Sequence, residues 1–411
     1  MKTSIDIDTK EVGEWIDWLA GFGYTKNGGV TRLLYDENWR LAQNSLFQKM
    51  NESGLKTHFD GVGNLFGRLD GTEKGEKTIL TGSHIDTVID GGKYDGAYGI
   101  IASLIAVNYL KKRYGSPQKS IEVVSLCEEE GSRFPLAFWG SGSITGKFNK
   151  EDCSGLYDTK KVSFSHAMKT MGLQTDKEQV KRDDIDCFIE MHIEQGAVLE
   201  KEKKSIGIVS HIVGQRRFSI KVKGESNHAG TTPMPYRKDS MHIAAELITY
   251  ALKQVTEIDS QLVATVGRIL AIPNVPNVIA KEVTFTLDVR HHQEEVLDYY
   301  CEKVFACFEQ KCKAAGMNVE WEQWLDVKAV AMDDKLTELA YTIVQEMDIP
   351  YRKMISGAGH DAQVFGTYCP TALVFVPSVG GISHSPKEYT KLEDLTRGVI
   401  VLIELLYRLA Y

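Results

Sequence analysis

The sequence of 411 residues lacks a surplus of positive charge: 48 Lys and Arg stand against 56 Asp and Glu, a formal charge of −8. The electrostatic footprint of a general nucleic-acid binder is therefore missing, and no nucleic-acid partner is expected. Long apolar runs are missing too. Those near Ile100 and Val399 are broken well short of the roughly 18 residues that cross a bilayer. The N-terminus, MKTSIDIDTK, has acids where a signal peptide needs an apolar core. Cysteines are few: Cys127, Cys153, Cys187, Cys301, Cys307, Cys312 and Cys369 form an odd set without paired spacing. That speaks against a disulfide framework and fits a reducing compartment. No repeat, low-complexity tract, charged tail or Pro/Gly/Ser-rich linker interrupts the chain. Together these absences predict a soluble, cytoplasmic protein without a membrane partner.

What is present is ordinary globular composition, 43% apolar and 25% charged. At roughly 150 residues per domain the length suggests about two to three domains. Between Leu55 and Val213 strand-like runs (TILTGSH at 78–84, IEVVSLC at 121–127, CFIEMHIE at 187–194) alternate with helical stretches such as 96–111. That alternation predicts an α/β layer, a mixed sheet flanked by helices. From Gly214 to Asp326 the order changes to strand RRFSIKVKG, helix 239–253, strand LVATVGRI, strand EVTFTLDV, helix 294–315 and strand NVEWEQWL. This is the β-α-β-β-α-β order of a ferredoxin-like unit. The α/β pattern then resumes with helix 334–346, strand TALVFVP (371–377) and helix 392–409. The expected organisation is a discontinuous catalytic domain, 1–213 with 327–411, and an inserted lid or dimerisation domain, 214–326.

Several constellations could carry chemistry. Gly82-Ser83-His84-Ile85-Asp86-Thr87 is followed by Gly91-Gly92-Lys93-Tyr94-Asp95-Gly96, so a strand ends in His84 and a glycine-rich loop delivers Asp95. Open α/β sheets hold their ligands at such carboxyl ends. His84 could bind a metal with Asp86 behind it, since a ligating imidazole usually donates its other N–H to a carboxylate or carbonyl. Cys127 is followed by Glu128, Glu129 and Glu130, three acids directly after an apolar strand. Like charges so close raise one another's pKa unless a cation neutralises them, so either a metal sits here or one carboxyl titrates near neutrality. Two more histidines have similar surroundings, His192 in EMHIEQG and His384 in GGISHSP, whereas His58, His166 and His211 read as surface or satisfied-core residues. These His residues, a shared Asp and the acid cluster can supply three ligands to each of two cations about 3.5–4 Å apart. In the smaller domain, Arg216 and Arg217 are adjacent on a strand, so the pleat sends them to opposite faces while Gln215 and Arg217 share one. Only one Arg can face a substrate.

The motifs GSHIDTV, GGKYDG, EEEGSRF, HIEQG, GESNHAGTTP, GAGHDAQ and GISHSP, in that order and over nearly the whole chain, resemble the dinuclear zinc amidohydrolases of the aminoacylase and carboxypeptidase group. The likeness is to the branch that contains allantoate amidohydrolases and N-carbamoyl-L-amino-acid hydrolases. It implies two divalent metal ions per subunit, Zn or Mn, one held by His84 and His192, the other by Glu130 and His384, with Asp95 bridging. It makes Glu129 the general base and Asp86 the residue that orients His84; Glu128 is left without a role and reads as solvated. His228 would stabilise the tetrahedral oxyanion from a partner subunit, which implies a homodimer through the lid domain. Arg217, Asn277 and Arg290 would bind substrate, with His360 as a further candidate.

Within the branch, Gly214-Gln215-Arg216-Arg217, Phe138-Trp139-Gly140-Ser141 and Ser356–Gln363 resemble the allantoate members. This implies a small anionic ureido substrate, Gln215 beside Arg217 serving the second urea, and hydrolysis of one ureido group to ureidoglycine, ammonia and carbon dioxide in purine nitrogen recovery. N-carbamoyl-L-amino-acid hydrolysis by the same chemistry is the runner-up. A catalytically silent metal-binding scaffold is opposed by the retention of Glu129 with all five ligands.

Overall fold

A computed structural model describes residues 5–73, 75, 77–149, 151–173 and 181–411. The chain divides into two compact units, Met1–Ser210 with Ala331–Tyr411, and His211–Val330. The first is an α/β unit on a mixed nine-stranded sheet. At its centre lie four parallel strands side by side, Ile121–Leu126, Thr78–His84, Ile185–Ile193 and Thr371–Val376. Every residue of Thr78–His84, Ile121–Leu126 and Thr371–Val376 is buried, which is why these runs lack the strict apolar/polar alternation of a strand with one exposed face. Antiparallel strands extend the sheet: Leu65–Leu69 and Lys56–Phe59 on one side, Ile206–Ile212 on the other.

The helix Ala97–Tyr114 is buried nearly all round, from Ala97 to Leu110. Such a helix needs cover on both sides, and it lies between the sheet and the outer helices Thr9–Ala20 and Leu392–Ala410. Four parallel strands ending together, one of them joined to a buried helix through the loop 85–96, fix a rim at their carboxyl ends. Among the described residues no helix is long and apolar enough to cross a membrane, and all seven cysteines are free thiols.

The second unit is a five-stranded antiparallel sheet in the order Asn318–Val327, Gly214–Lys223, Glu282–His291, then Val263–Thr265, with Ile269–Ile272 also paired to Glu282–His291. Strand Gly214–Lys223 alternates strictly between buried and half-buried residues. Its buried side packs on the helices Ser240–Ile258 and Glu294–Ala314 through Phe218, Ile220, Leu247 and Val304.

Three local readings are corrected. LVATVGRI is two short strands broken at Gly267, since a residue without a side chain to pack weakens a strand. Helix Ser240–Ile258 runs past Lys253, because Gln254–Ile258 contains no breaker. The first buried helix starts at Ala97, not Gly96, which sits at φ 64°.

Gly96 is required on two counts. Its positive φ disfavours any side chain, and a Cβ there would lie 2.4 Å from Cε1 and 2.5 Å from Nδ1 of His84. Gly96→Ala is expected to cost about 1–3 kcal/mol and to displace the imidazole. Denaturant unfolding of both proteins at equal pH and metal content checks this; an unchanged midpoint would remove the constraint.

Candidate metal centre

His84 is the last residue of its strand, His192 lies one residue before the end of the neighbouring one, and Glu129 and Glu130 follow a third. Asp95 comes from the loop that leads into helix Ala97–Tyr114, and His384 from the segment after Thr371–Val376. The parallel strands thus bring residues more than 280 positions apart to one rim, at the carboxyl ends where open sheets bind ligands.

The hydrogen bonds assign the imidazole tautomers. His84 Nδ1 lies 3.1 Å from the Asp86 carbonyl and 3.3 Å from Asp86 Oδ1, and His192 Nδ1 lies 2.9 Å from the Ile193 carbonyl. With protons on both Nδ1 atoms, each Nε2 keeps a lone pair. The Gly96 amide donates to that of His192 at 3.1 Å. Both Nε2 atoms turn to one oxygen of Asp95: Oδ1 is 3.5 Å from His84 and 3.2 Å from His192. The other oxygen, Oδ2, is 3.3 Å from His384 Nε2, which is also 3.3 Å from Glu130 Oε1. The result is two groups of three, His84-Asp95-His192 and Asp95-Glu130-His384, that share one carboxylate.

This donor set fits divalent cations. Asp95 Oδ1 is buried and receives no hydrogen bond, an arrangement that is costly unless a cation or proton lies between it and the imidazoles. Nitrogen and carboxylate donors of this kind suit Zn or Mn. Asp86, Glu128, Glu129, Glu190 and Asp361 are buried nearby, and burial pushes Glu128, Glu129, Glu190 and Asp361 above the usual carboxylate range. The protonation equilibria report the same demand. Burial would depress His84, but Asp86 and Asp95 hold it well above the ordinary imidazole range. His384 is raised to about 10 by Asp95 and Glu130. Burial would raise Asp95, yet His192, His384 and His84 keep it well below the usual carboxylate range. Glu129 goes the other way: burial pushes it well up, Glu130 adds to this, and His84 opposes. It belongs to neither of the two groups around Asp95, although it lies close to His84 and Glu130.

The supports of the rim are less visible in sequence. Asp86 accepts from the amides of Glu129 (2.9 Å) and Glu130 (3.1 Å), so it links the acid loop to His84. Asp95 Oδ2 accepts from Gln195 Nε2 at 2.8 Å and lies 2.9 Å from Ser383 Oγ. Glu388 joins the two loops: it accepts from the amides of Tyr94 (3.0 Å) and Asp95 (3.1 Å) and lies 2.7 Å from Ser383 Oγ. Gly92 has no Cβ because one would overlap the Glu388 carboxyl at 2.0 Å. Burial, with Asp95 nearby, pushes Glu388 up to about 7. Gln195 and Ser383 lie inside motifs already singled out; Glu388 lies outside them, in KEYTKLED. Glu190, buried in the His192 strand, accepts from Ser83 Oγ (2.7 Å) and the Ala362 amide (2.8 Å).

Glu128 is not solvated: it is 1% exposed and accepts from the Gly131 amide, closing the turn that presents its two neighbours. His360 is buried, its Nε2 3.1 Å from Ser356 Oγ and its ring 4.5 Å from that of His192. His58 and His166 are exposed, and the half-buried His211 packs against His292.

In the second unit Gln215, Arg217 and Arg290 share the sheet face away from the core. Arg216 takes the other face, where it pairs with Glu294 and Asp298. His228 Nδ1 accepts from the amides of Gly230 (3.0 Å) and Thr231 (3.1 Å), which puts the proton of the neutral ring on Nε2 as an exposed donor. Asn277 is exposed on the adjoining loop, where its carbonyl accepts from the Ala229 amide at 3.0 Å.

The chain matches peptidase family M20/M25/M40 over residues 80–408. It is 46% identical to the allantoate amidohydrolase of Bacillus subtilis (strain 168), over 97% of either chain. It is 42% identical to that of Escherichia coli (strain K12), over 97% of this chain and 98% of the other. Its structure is similar to that of an amidase of the hydantoinase/carbamoylase family from Burkholderia multivorans, with a TM-score of 0.94 and 32% identity over 99% of this chain and 98% of that one. Matched over most of its length by the family and nearly end to end by these amidohydrolases, the chain belongs to peptidase family M20/M25/M40.

Proposed function

We propose that the protein is a dinuclear-metal amidohydrolase that cleaves one ureido group of allantoate, giving ureidoglycine, ammonia and carbon dioxide, and so recovers purine nitrogen in the cytoplasm. The observation that carries the chemistry is the pair of ligand groups sharing Asp95 beside a carboxylate, Glu129, that belongs to neither. His84 and His192 would hold one cation and Glu130 and His384 the other, with Asp95 available to both groups; Zn or Mn would suit this set. When bound, the two cations supply Lewis acidity toward the scissile carbonyl and the attacking water.

The remaining work falls to the chain's own groups. Glu129 accepts the proton of the attacking water on a carboxylate oxygen and returns it to the departing nitrogen. Its burial raises its proton affinity, which suits an acceptor that must hold a proton between the two steps. His228 donates from Nε2–H to the oxygen that becomes negative in the tetrahedral stage. Arg217 and Arg290, with Asn277, bind the substrate carboxylate, since paired guanidiniums match it in planar geometry. Gln215 offers amide contacts to the second urea, and His360 supports the substrate side of the rim through His192.

The substrate reading is supported by the named activity of the relatives from Bacillus subtilis and Escherichia coli and by a polar recognition face in place of an apolar one. Residues 214–326 form the lid and dimerisation domain of a homodimer in which His228 serves the partner's site. Exposed apolar side chains along its sheet edge, Val263, Ile269, Leu270 and Ile272, favour a second copy as cover.

Metal-reconstituted protein offered allantoate and N-carbamoyl-L-amino acids in parallel, at matched concentrations, is expected to release ammonia preferentially from allantoate. Preference for the carbamoyl amino acids would keep the mechanism and replace the substrate. Glu129→Gln is expected to retain both metal ions by elemental analysis while kcat falls about 10³-fold. Unchanged turnover in that variant would remove Glu129 from the mechanism.

A further inference from the structure

The recognition face of the second unit is organised by a residue that motif reading passed over. Asp288 lies directly across from Arg217 in the ladder between Glu282–His291 and Gly214–Lys223, and Gln215 lies across from Arg290. All four side chains point away from the apolar core, on one face of the sheet. Asp288 Oδ2 accepts from Gln215 Nε2 at 2.6 Å and from Arg217 Nε at 2.7 Å. Asp288 Oδ1 accepts from Arg290 Nε at 3.0 Å, and a second, longer contact of 3.3 Å runs from Arg290 Nη2 to Oδ2. The Arg217 guanidinium also lies 5.4 Å over the ring of Trp324, a cation–π arrangement that fixes its plane. Burial would raise Asp288, but Arg290 and Arg217 hold it below the usual carboxylate range, so it is ionised at neutral pH.

We infer that Asp288 is the positioning residue of the carboxylate-recognition site: it holds Arg217, Arg290 and Gln215 in one array whose two cations and one anion leave a single positive charge for one substrate carboxylate. The inference rests on the functional reading above, which gives Arg217 and Arg290 to the substrate. Long arginine side chains lose much rotamer entropy on binding. Asp288 removes that cost in advance by fixing both guanidiniums through their Nε atoms. A simple charge count predicts the opposite effect, because removing Asp288 would raise the local charge to two and attract an anion more strongly. The two accounts therefore differ in sign.

Wild type, Asp288→Asn and Asp288→Glu are compared as full-length, metal-loaded enzyme, by KM and kcat for allantoate and by hydrogen exchange of the Nε–H groups of Arg217 and Arg290 in ¹⁵N-arginine-labelled protein. The expected result for Asp288→Asn is a KM about 10-fold higher, kcat changed by less than about threefold, and Nε–H exchange faster by about 10-fold. Asp288→Glu keeps the charge but moves it by one methylene, and KM is expected to rise by a smaller factor. An unchanged or lower KM in Asp288→Asn overturns the inference. Should Asp288→Asn not fold, an unchanged KM in Asp288→Glu does so. If wild type does not cleave allantoate but exchange still accelerates in the variants, the positioning role stands and the substrate reading falls. Exchange that does not change in either folded variant removes the positioning role whatever the substrate.

Discussion

The structure of the first unit depends on a concentration of buried carboxyl groups, which cannot all be ionised together, at the carboxyl ends of its central parallel strands. Asp86, Asp95, Glu128, Glu129, Glu190 and Asp361 are all buried there, next to His84 and His192. Two like charges about 4 Å apart repel by about 4 kcal/mol even at an effective dielectric of 20. A few such pairs together exceed the roughly 5–15 kcal/mol by which a domain is stable. The rim can persist only if positive charge is returned to it, by protons on imidazoles and carboxyls or by cations. His84 and His384 drawn up, Asp95 drawn down and Glu129 pushed up are four expressions of that one requirement.

The fold meets the geometric half of the requirement by rigidity. A carboxylate can serve two groups of ligands only if each oxygen is held in one direction. Gln195 and Ser383 act on Oδ2, while Glu388 grips the Tyr94 and Asp95 amides from behind. Glu388 and Ser383 come from the same segment as His384, so the loop that supplies a candidate ligand also clamps the residue between the two groups. Asp86 does the equivalent on the other side, tying the ring of His84 to the amides that present Glu129 and Glu130. Supports of this kind limit side-chain motion where a fraction of an ångström decides coordination.

How much of this was legible in the sequence follows from the range over which each feature is encoded. The parallel strands were readable because they alternate with helical stretches and lack the apolar/polar alternation of a half-exposed strand, and His84, His192 and the acid cluster because they sit at the ends of those runs. The break in LVATVGRI turned on one Gly, and the extra turns of Ser240–Ile258 on the absence of a breaker, so local composition left both boundaries open. Glu388 and Asp288 were not legible for a different reason. Their roles exist only through partners about 290 and 70 positions away, and in its own segment each looks like a solvated acid. Glu128 misled in the same way, since a run of three acids suggests water until the turn bond to Gly131 is seen. Asp288 did carry one local clue, its place two residues before Arg290 on a strand, which puts both on one face.

The candidate metal ligands and the candidate carboxylate-binding groups lie in different units, and His228 adds a group of the second unit to the proposed reaction. The cation rim draws on the first unit alone, and the array of Gln215, Arg217, Asp288 and Arg290 on the second alone. This division has a physical consequence for specificity. On the proposed reading the rim sets the reaction type, because Lewis acidity and a general base serve any amide carbonyl held near them. On the same reading the array meets a carboxylate at a fixed position on a sheet through planar, charge-assisted contacts, and that kind of site rejects ligands lacking the anion. On the proposed reading, substrate choice is therefore written on the second sheet and reactivity on the rim of the first, with His228 added from the second unit.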